Sequence, residues 1–181
     1  MHQAIVNIML DRIKDQFFNE QLFCEQFLKV PMSDWENWKT GKMNLPTEYM
    51  QKMKSLFSDY EWMLIQKIAR QAILFPEKRN YVVTEYKRLK AVIAKNWLRA
   101  GLAKVELITN QGSVDVYGPN QKDHVTLRVI SNYQEWGYDD ILEFFLPGIV
   151  QEQIAEAKVD LLDWVDENLS DTYIIQVDEE D

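Results

Sequence analysis

MSDWENWKTGKMNLPTEYMQKM, residues 32–53, decides how the first half of this chain folds. Trp35 and Trp38 stand three residues apart, Gly41 follows three residues later, and Pro46 five after that. Residues three apart share one face of a helix. A helix of about two turns is marginal in water unless that face is anchored against something. Both indoles are therefore read as core, although Trp38, about 60° round the helix from Trp35, could instead seal the turn before Gly41 or stay partly exposed. Gly41 supplies left-handed backbone that stops the helix, and Pro46 suits the first turn of the next one. Ser33 and Glu36 have the Ser-x-x-Glu spacing of a capping box, so Ser33 is expected to cap the tryptophan helix. Asp34 and Glu36 suit the positive end of its dipole.

Working outward, Ile5, Ile8, Met9, Ile13, Phe17 and Phe18 recur at helical spacing and predict a helix over residues 3–18. Leu22, Phe23 and Phe27 mark a short second helix with Asn19 as its cap. It must stop by Val30, because proline at position 31 disfavours helical backbone in the residue before it. After Pro46, the residues Met50, Met53, Leu56 and Phe57 predict a helix over 46–57, and another runs from Ser58 or Asp59 to about Leu74.

This succession resembles the lambda-repressor-like, Xre-type helix-turn-helix over about residues 20–57. In that family an apolar residue stands six positions before a glycine, an often aromatic residue stands three before it, and a proline follows. Trp35, Trp38, Gly41 and Pro46 occupy those positions. Where the family has a small residue at the helix crossing, this chain has Cys24 or Glu25, depending on how the turn is aligned; Cys24 would serve there and Glu25 would not. The chain lacks the family's usual turn glycine near Lys29, and Lys39-Thr40 stand where an acidic residue usually precedes the helix-ending glycine. The resemblance implies binding to double-stranded DNA. It puts Met32, Ser33, Asp34, Glu36 and Asn37 against base edges, where Asn37 suits adenine and Glu36 suits the cytosine amine. Lys39 and Lys42 would face phosphates, with Lys52 and Lys54 nearby.

The formal net charge of -9 is unevenly spread. Residues 1–72 sum to zero, residues 73–101 to +5 and residues 102–181 to -14. Such asymmetry suggests segments with different tasks. Within the basic part, Val82, Tyr86, Leu89, Ile93, Trp97 and Ala100 form one helical stripe. Arg88, Lys95 and Arg99 fall on the opposite face, with Lys87 and Lys90 nearer the edges. A basic stripe on a helix can track phosphates; it can equally be a solvated face, or dock onto the acidic region behind it.

Beyond residue 102 the period changes from helical to alternating. Val105 and Leu107, then Val114 and Val116, then Val125, Leu127 and Val129 predict a three-stranded antiparallel meander over 103–131. Asn132–Asp140 reads as an aromatic loop, and Asp139 as the cap of a short helix through Phe145. A long helix over 149–169, a strand over 172–177 and an acidic tail complete the chain.

Catalytic and metal sets are thin. His2 is read as part of a loose terminus and His124 as the start of a strand; with the single Cys24 they make no zinc pattern. Asp139, Asp140 and Glu143, or Asp160, Asp163 and Glu167, could hold a hard cation but are better explained as solvated acidic faces. No phosphate-cradling glycine motif occurs. No apolar run approaches the roughly 18 residues of a membrane helix, and the first residues lack a signal-peptide pattern, so a cytoplasmic protein is expected.

The expected fold class is α+β: a helical helix-turn-helix domain over 1–75, then an α+β domain over 76–181 with a three- to four-stranded antiparallel sheet. The expected function is a DNA-binding transcriptional regulator, homodimeric, without enzymatic activity, cofactor or membrane association. Its expected DNA-contacting residues are Ser33, Glu36, Asn37, Lys39, Lys42, Arg88, Lys95 and Arg99. The alternative is a protein-interaction module whose helix-turn-helix no longer meets DNA.

Overall fold

A computed structural model describes residues 1–110, 114–115, 118–119, 124–133, 138–147 and 163. The chain begins with helix α1 (His2–Gln16), then α2 (Glu20–Leu22), which continues as a π-helical turn over Phe23–Leu28. Helices α3 (Met32–Lys39), α4 (Thr47–Lys54) and α5 (Asp59–Leu74) follow. A 3₁₀ turn, Pro76–Tyr81, leads into α6 (Val82–Arg99). The strands are β1 (Ala103–Asn110), β2 (Val114–Asp115), β3 (Gly118–Pro119), β4 (His124–Tyr133) and β5 (Tyr138–Pro147). Mostly N-terminal helices followed by a three-stranded antiparallel sheet make this an α+β fold. No helix among the described residues is long and apolar enough to cross a membrane.

The helical half forms around one ladder of rings. Phe17 meets Phe23 edge-on at 5.2 Å between centroids, Phe23 meets Trp35 at 5.3 Å, and Trp35 stacks on Trp38 at 5.0 Å. Each such pair contributes about 0.5–1.5 kcal/mol beyond its buried area. Trp35 is buried, and Trp38, which its spacing leaves open, is buried as well. Cys24 is buried, while neighbouring Glu25 faces solvent. His2 is not loose: it belongs to α1, packs edge-on against Trp38 at 5.3 Å, and its Nε2 lies 2.7 Å from the Trp38 carbonyl. The helix predicted over 3–18 stops at Gln16, where Phe17 turns extended; this buries Phe17 and leaves Phe18 exposed.

One expected cap changes place. Ser33 does not cap α3; that position belongs to Pro31, whose carbonyl accepts from the amides of Asp34 and Trp35. The proline ring holds φ at -61°, and ψ of 145° puts Pro31 just outside the helix. Ser33 thereby falls inside the first turn. The capping box lies instead at the start of α5, where Ser58 Oγ accepts from the Glu61 amide and Glu61 Oε1 accepts from the Ser58 amide. Asn19 does cap α2, accepting from the Leu22 amide at 2.8 Å.

The sheet has the order β1-β4-β5. Leu127 sits opposite Leu107 on one side and Phe144 on the other, and Val129 opposite Val105 and Leu142. The predicted meander is therefore corrected in its middle strand. Residues 114–115 form a two-residue ladder with 118–119, while His124–Ser131 of β4 pair with β1. The helix expected from Asp139 to Phe145 is strand β5 instead. Leu142, Phe144 and Leu146 alternate on its buried face, and pairing with β4 overrides the local capping signal. The elements predicted over 149–177 lie outside the described residues, apart from Asp163, which is helical.

Among the described strands, β5 lies at one end of this sheet and packs on α5 and α1. Ser58 Oγ donates to the Ile141 carbonyl at 2.5 Å, and Lys90 Nζ donates to the Glu143 carbonyl. Two β5 carbonyls are thus bonded from the helical side. Lys90 reaches them because it is buried in the middle of α6's inner face beside Tyr86, Ala91 and Ala94, not near its edge as predicted; Ala100 is exposed. Its counter-ion is Glu61. The Glu61 carboxylate accepts from Arg12 at 2.9 Å and Tyr86 Oη at 3.1 Å and pairs with Lys90 at 2.6 Å. Arg12 also lies over the rings of Phe57 and Phe145, at 4.5 Å and 4.4 Å. One buried charge cluster therefore ties α1, α5 and α6 together and sits against β5.

Candidate nucleic-acid interface

Helix α3 shows two faces. Trp35 and Trp38 point inward, while Ser33, Glu36 and Thr40 are exposed and Asn37 is half-buried beside them. Positions 33, 36, 37 and 40 share one helical face, so the exposed polar residues form a continuous strip. Two left-handed residues frame the helix. Before it, Lys29 adopts φ of 62° and ψ of 46°, left-handed backbone that favours glycine. Its amide and that of Val30 both bond to the Cys24 carbonyl. After it, Gly41 has φ of 73°; the Gly41 amide bonds to the Trp38 carbonyl and the Lys42 amide to the Asn37 carbonyl. This is the Schellman pattern, and it turns the chain sharply so that Lys42 projects into solvent at the end of the strip.

Lys39 is used differently from the sequence expectation. Its Nζ lies 2.6 Å from Glu20 Oε2 and 2.8 Å from Glu36 Oε1. The same Glu20 oxygen accepts from Trp35 Nε1 at 2.6 Å. Partial burial opposes ionisation of Glu20, but the bonds from Lys39 and Trp35 outweigh it and hold the carboxyl below its ordinary value. The same partial burial opposes the charge on Lys39, and its two carboxylate partners outweigh it, holding the ammonium above its ordinary value. Lys39 is thus a latch between α2 and α3, already neutralised within the fold.

Of the remaining expected contacts, Arg88 is half-exposed on α6 and bonds to both oxygens of Glu85 at 3.1 Å. Lys95 is half-buried and Arg99 exposed, further along that helix, and both have partners within the molecule. Lys87 pairs with Asp11 of α1 at 3.3 Å. Ser33, Glu36, Asn37, Lys39 and Lys42 are gathered on α3 and its exit turn, whereas Arg88, Lys95 and Arg99 belong to α6, packed on α1 and α5. Among the described residues no group of three or more His, Cys, Asp or Glu side chains could hold a metal ion.

Sequence reasoning missed Arg12, Glu61 and Lys90. The signal was available: each is a charged residue at an apolar stripe position. Arg12 follows Ile8 and Met9 at helical spacing, and Lys90 follows Tyr86. Glu61 also completes Ser-x-x-Glu from Ser58. No family model, curated protein or solved structure matches this chain.

Proposed function

We propose that the chain is a DNA-binding transcriptional regulator acting in the cytoplasm as a homodimer, with α3 as its recognition helix. The carrying observation is the polar strip of Ser33, Glu36, Asn37 and Thr40 on a helix whose opposite face is anchored by two buried tryptophans. A rigid helix of this kind, entered and left through tight turns, suits the major groove. Asn37 reads adenine through its amide, and Glu36 accepts from the cytosine amine. Lys42 takes a phosphate; Lys39 contributes less than expected, because Glu20 and Glu36 already hold it. Each phosphate contact adds about one unit to the salt slope of binding.

The pinned Lys39 favours a second reading. With that cation neutralised and Asp34 at the helix start, the strip has little positive charge with which to meet DNA. A protein-interaction module would use the same face for a protein partner. Charge-neutral substitution separates the two. For a base-reading helix, Glu36→Gln changes which duplex is selected from a random pool. If both carboxylates merely repel phosphate, Asp34→Asn with Glu36→Gln strengthens binding to all duplexes alike. Absence of duplex binding by both the native chain and this double variant sinks the regulator and leaves the interaction module.

A further inference from the structure

We infer that the corner where α5 gives way to the 3₁₀ turn is a docking surface for an acidic, amphipathic protein segment. Every residue from Ile73 to Tyr81 is exposed. Four of them are large and apolar: Ile73, Leu74, Phe75 and Tyr81 are 51%, 72%, 47% and 56% exposed. Single exposed apolar side chains are ordinary, but a cluster on one corner marks an interaction surface. Its rim is cationic. Lys67, Arg70, Lys78 and Arg79 are all exposed, and Glu77 is the only carboxylate in residues 67–81. The cations are held beside the apolar groups. Lys78 Nζ lies 5.5 Å from the centre of the Phe75 ring, and Arg79 Nε donates to the Ala72 carbonyl at 3.2 Å.

The corner also has relief. A groove of about 520 Å³ runs between α1 and the end of α5, lined by Ala4, Asn7, Ile73, Arg79 and Asn80 among others. A smaller recess on the other side of the turn is lined by Ile68, Lys78, Tyr81, Val82 and Glu85. An apolar centre with a polar rim and an adjoining pocket is the anatomy of a protein interface. Charge complementarity selects the occupant. A segment with aliphatic or aromatic side chains on one face and carboxylates beside them places its apolar groups on Leu74 and Phe75 and its carboxylates on Arg70, Lys78 and Arg79. A second copy seated corner to corner would oppose cation to cation. Duplex DNA would leave Ile73 and Leu74 against phosphates. The surface uses none of the α3 residues, so it stands whether or not α3 meets DNA.

The test uses the full chain and a dye-labelled 18-residue synthetic helix carrying Leu and Phe on one face and Glu elsewhere, followed by fluorescence anisotropy. A matched helix with Lys in place of Glu is the control. The acidic helix binds, more weakly as salt rises, and the lysine helix does not. Leu74→Asp weakens binding at least tenfold, as does Lys78→Glu with Arg79→Glu, while circular dichroism is unchanged because these side chains are exposed. The inference is overturned if the acidic helix fails to bind, or if both variants bind it as the native chain does. It is equally overturned if Leu74→Asp instead dissolves a homodimer, or if the charge reversal abolishes binding to phosphatidylglycerol vesicles or duplex DNA while the acidic helix never binds.

Discussion

Replacing Glu61 with Gln keeps the shape of the side chain and removes the charge at the centre of the molecule. Glu61 is fully buried and shared by Arg12 at 2.9 Å, Lys90 at 2.6 Å and Tyr86 at 3.1 Å. Burial pushes its carboxyl up, but Arg12 and Lys90 outweigh that and hold it down at about 2. Removing one partner of a buried ion pair costs about 3–5 kcal/mol. The loss is bounded, because Lys90 can give up its proton: burial already pushes it down from 10.5 to about 8 despite Glu61. Relative to the unfolded chain, where its value is 10.5, holding it neutral at pH 7 costs about 5 kcal/mol at 1.36 kcal/mol per unit, and this is the upper bound. Native chains are stable by about 5–15 kcal/mol, so about a fifth or more of the stability is at stake. Urea denaturation at pH 7, followed by tryptophan fluorescence and circular dichroism, reads the loss. Adding Lys90→Met to Glu61→Gln restores part of it by removing one of the two cations that shared the carboxylate. The pH dependence has a definite sign. A carboxyl held below its unfolded value of about 4.5 stabilises above that pH and loses its contribution as the pH falls through about 2. The gap between native chain and variant therefore persists at pH 5 and closes toward pH 2. A loss under about 1 kcal/mol at pH 7 would refute the reasoning.

Asp15 has the opposite sign: burial first, and then Asp11, push its carboxyl up from 3.8 to about 6. The native chain thus loses stability as the pH rises from about 4 through about 6, and Asp15→Asn should gain about 1–2 kcal/mol at pH 7.5 and nothing at pH 3.5 by urea denaturation, with a larger gain at the acid pH contradicting the assignment. Lys29 holds left-handed backbone at φ of 62°, so Lys29→Gly should raise stability by about 0.5–1 kcal/mol, and a drop in melting temperature would show that the turn is not strained. The Cys24 thiol is buried, and that burial pushes it up to about 12, so a disulfide reagent at pH 8 should leave it unmodified in the folded chain and modify it at once in urea. Rapid reaction of the folded chain would contradict its burial.

The helical half was legible because its signals are local. Pro31, Gly41 and Pro46 restrict backbone within a residue or two, and Trp35 and Trp38 announce a buried face by size and spacing. The cap at Ser33 was misplaced because two local rules competed: the serine–glutamate spacing fits, but the proline two residues earlier starts the helix sooner. The β half was harder. Strand partners are chosen across long separations, so Val114 and Val116 looked like a middle strand, yet β4 found β1 across a connection of more than ten residues. In β5 the acidic pair Asp139-Asp140 resembles a helix start, while Leu142, Phe144 and Leu146 carry the alternation that decided the outcome. At the candidate interface the residue types were readable but their partners were not. That Lys39 serves Glu20 and Glu36 depends on how α2 meets α3, which spacing along one helix cannot reveal.

Whether α3 meets DNA is decided most directly by titrating salt against binding of the full chain to a labelled random-sequence duplex. A regulator binds at about 25 mM salt, and the logarithm of its affinity falls linearly with the logarithm of salt, with a slope of about -4 for a dimer making about two phosphate contacts per subunit. Lys42→Ala lowers that slope by about two in the dimer, and Lys39→Ala by less, because Lys39 is already paired with Glu20 and Glu36. No binding at about 25 mM salt, or an affinity indifferent to salt, contradicts the DNA-binding function.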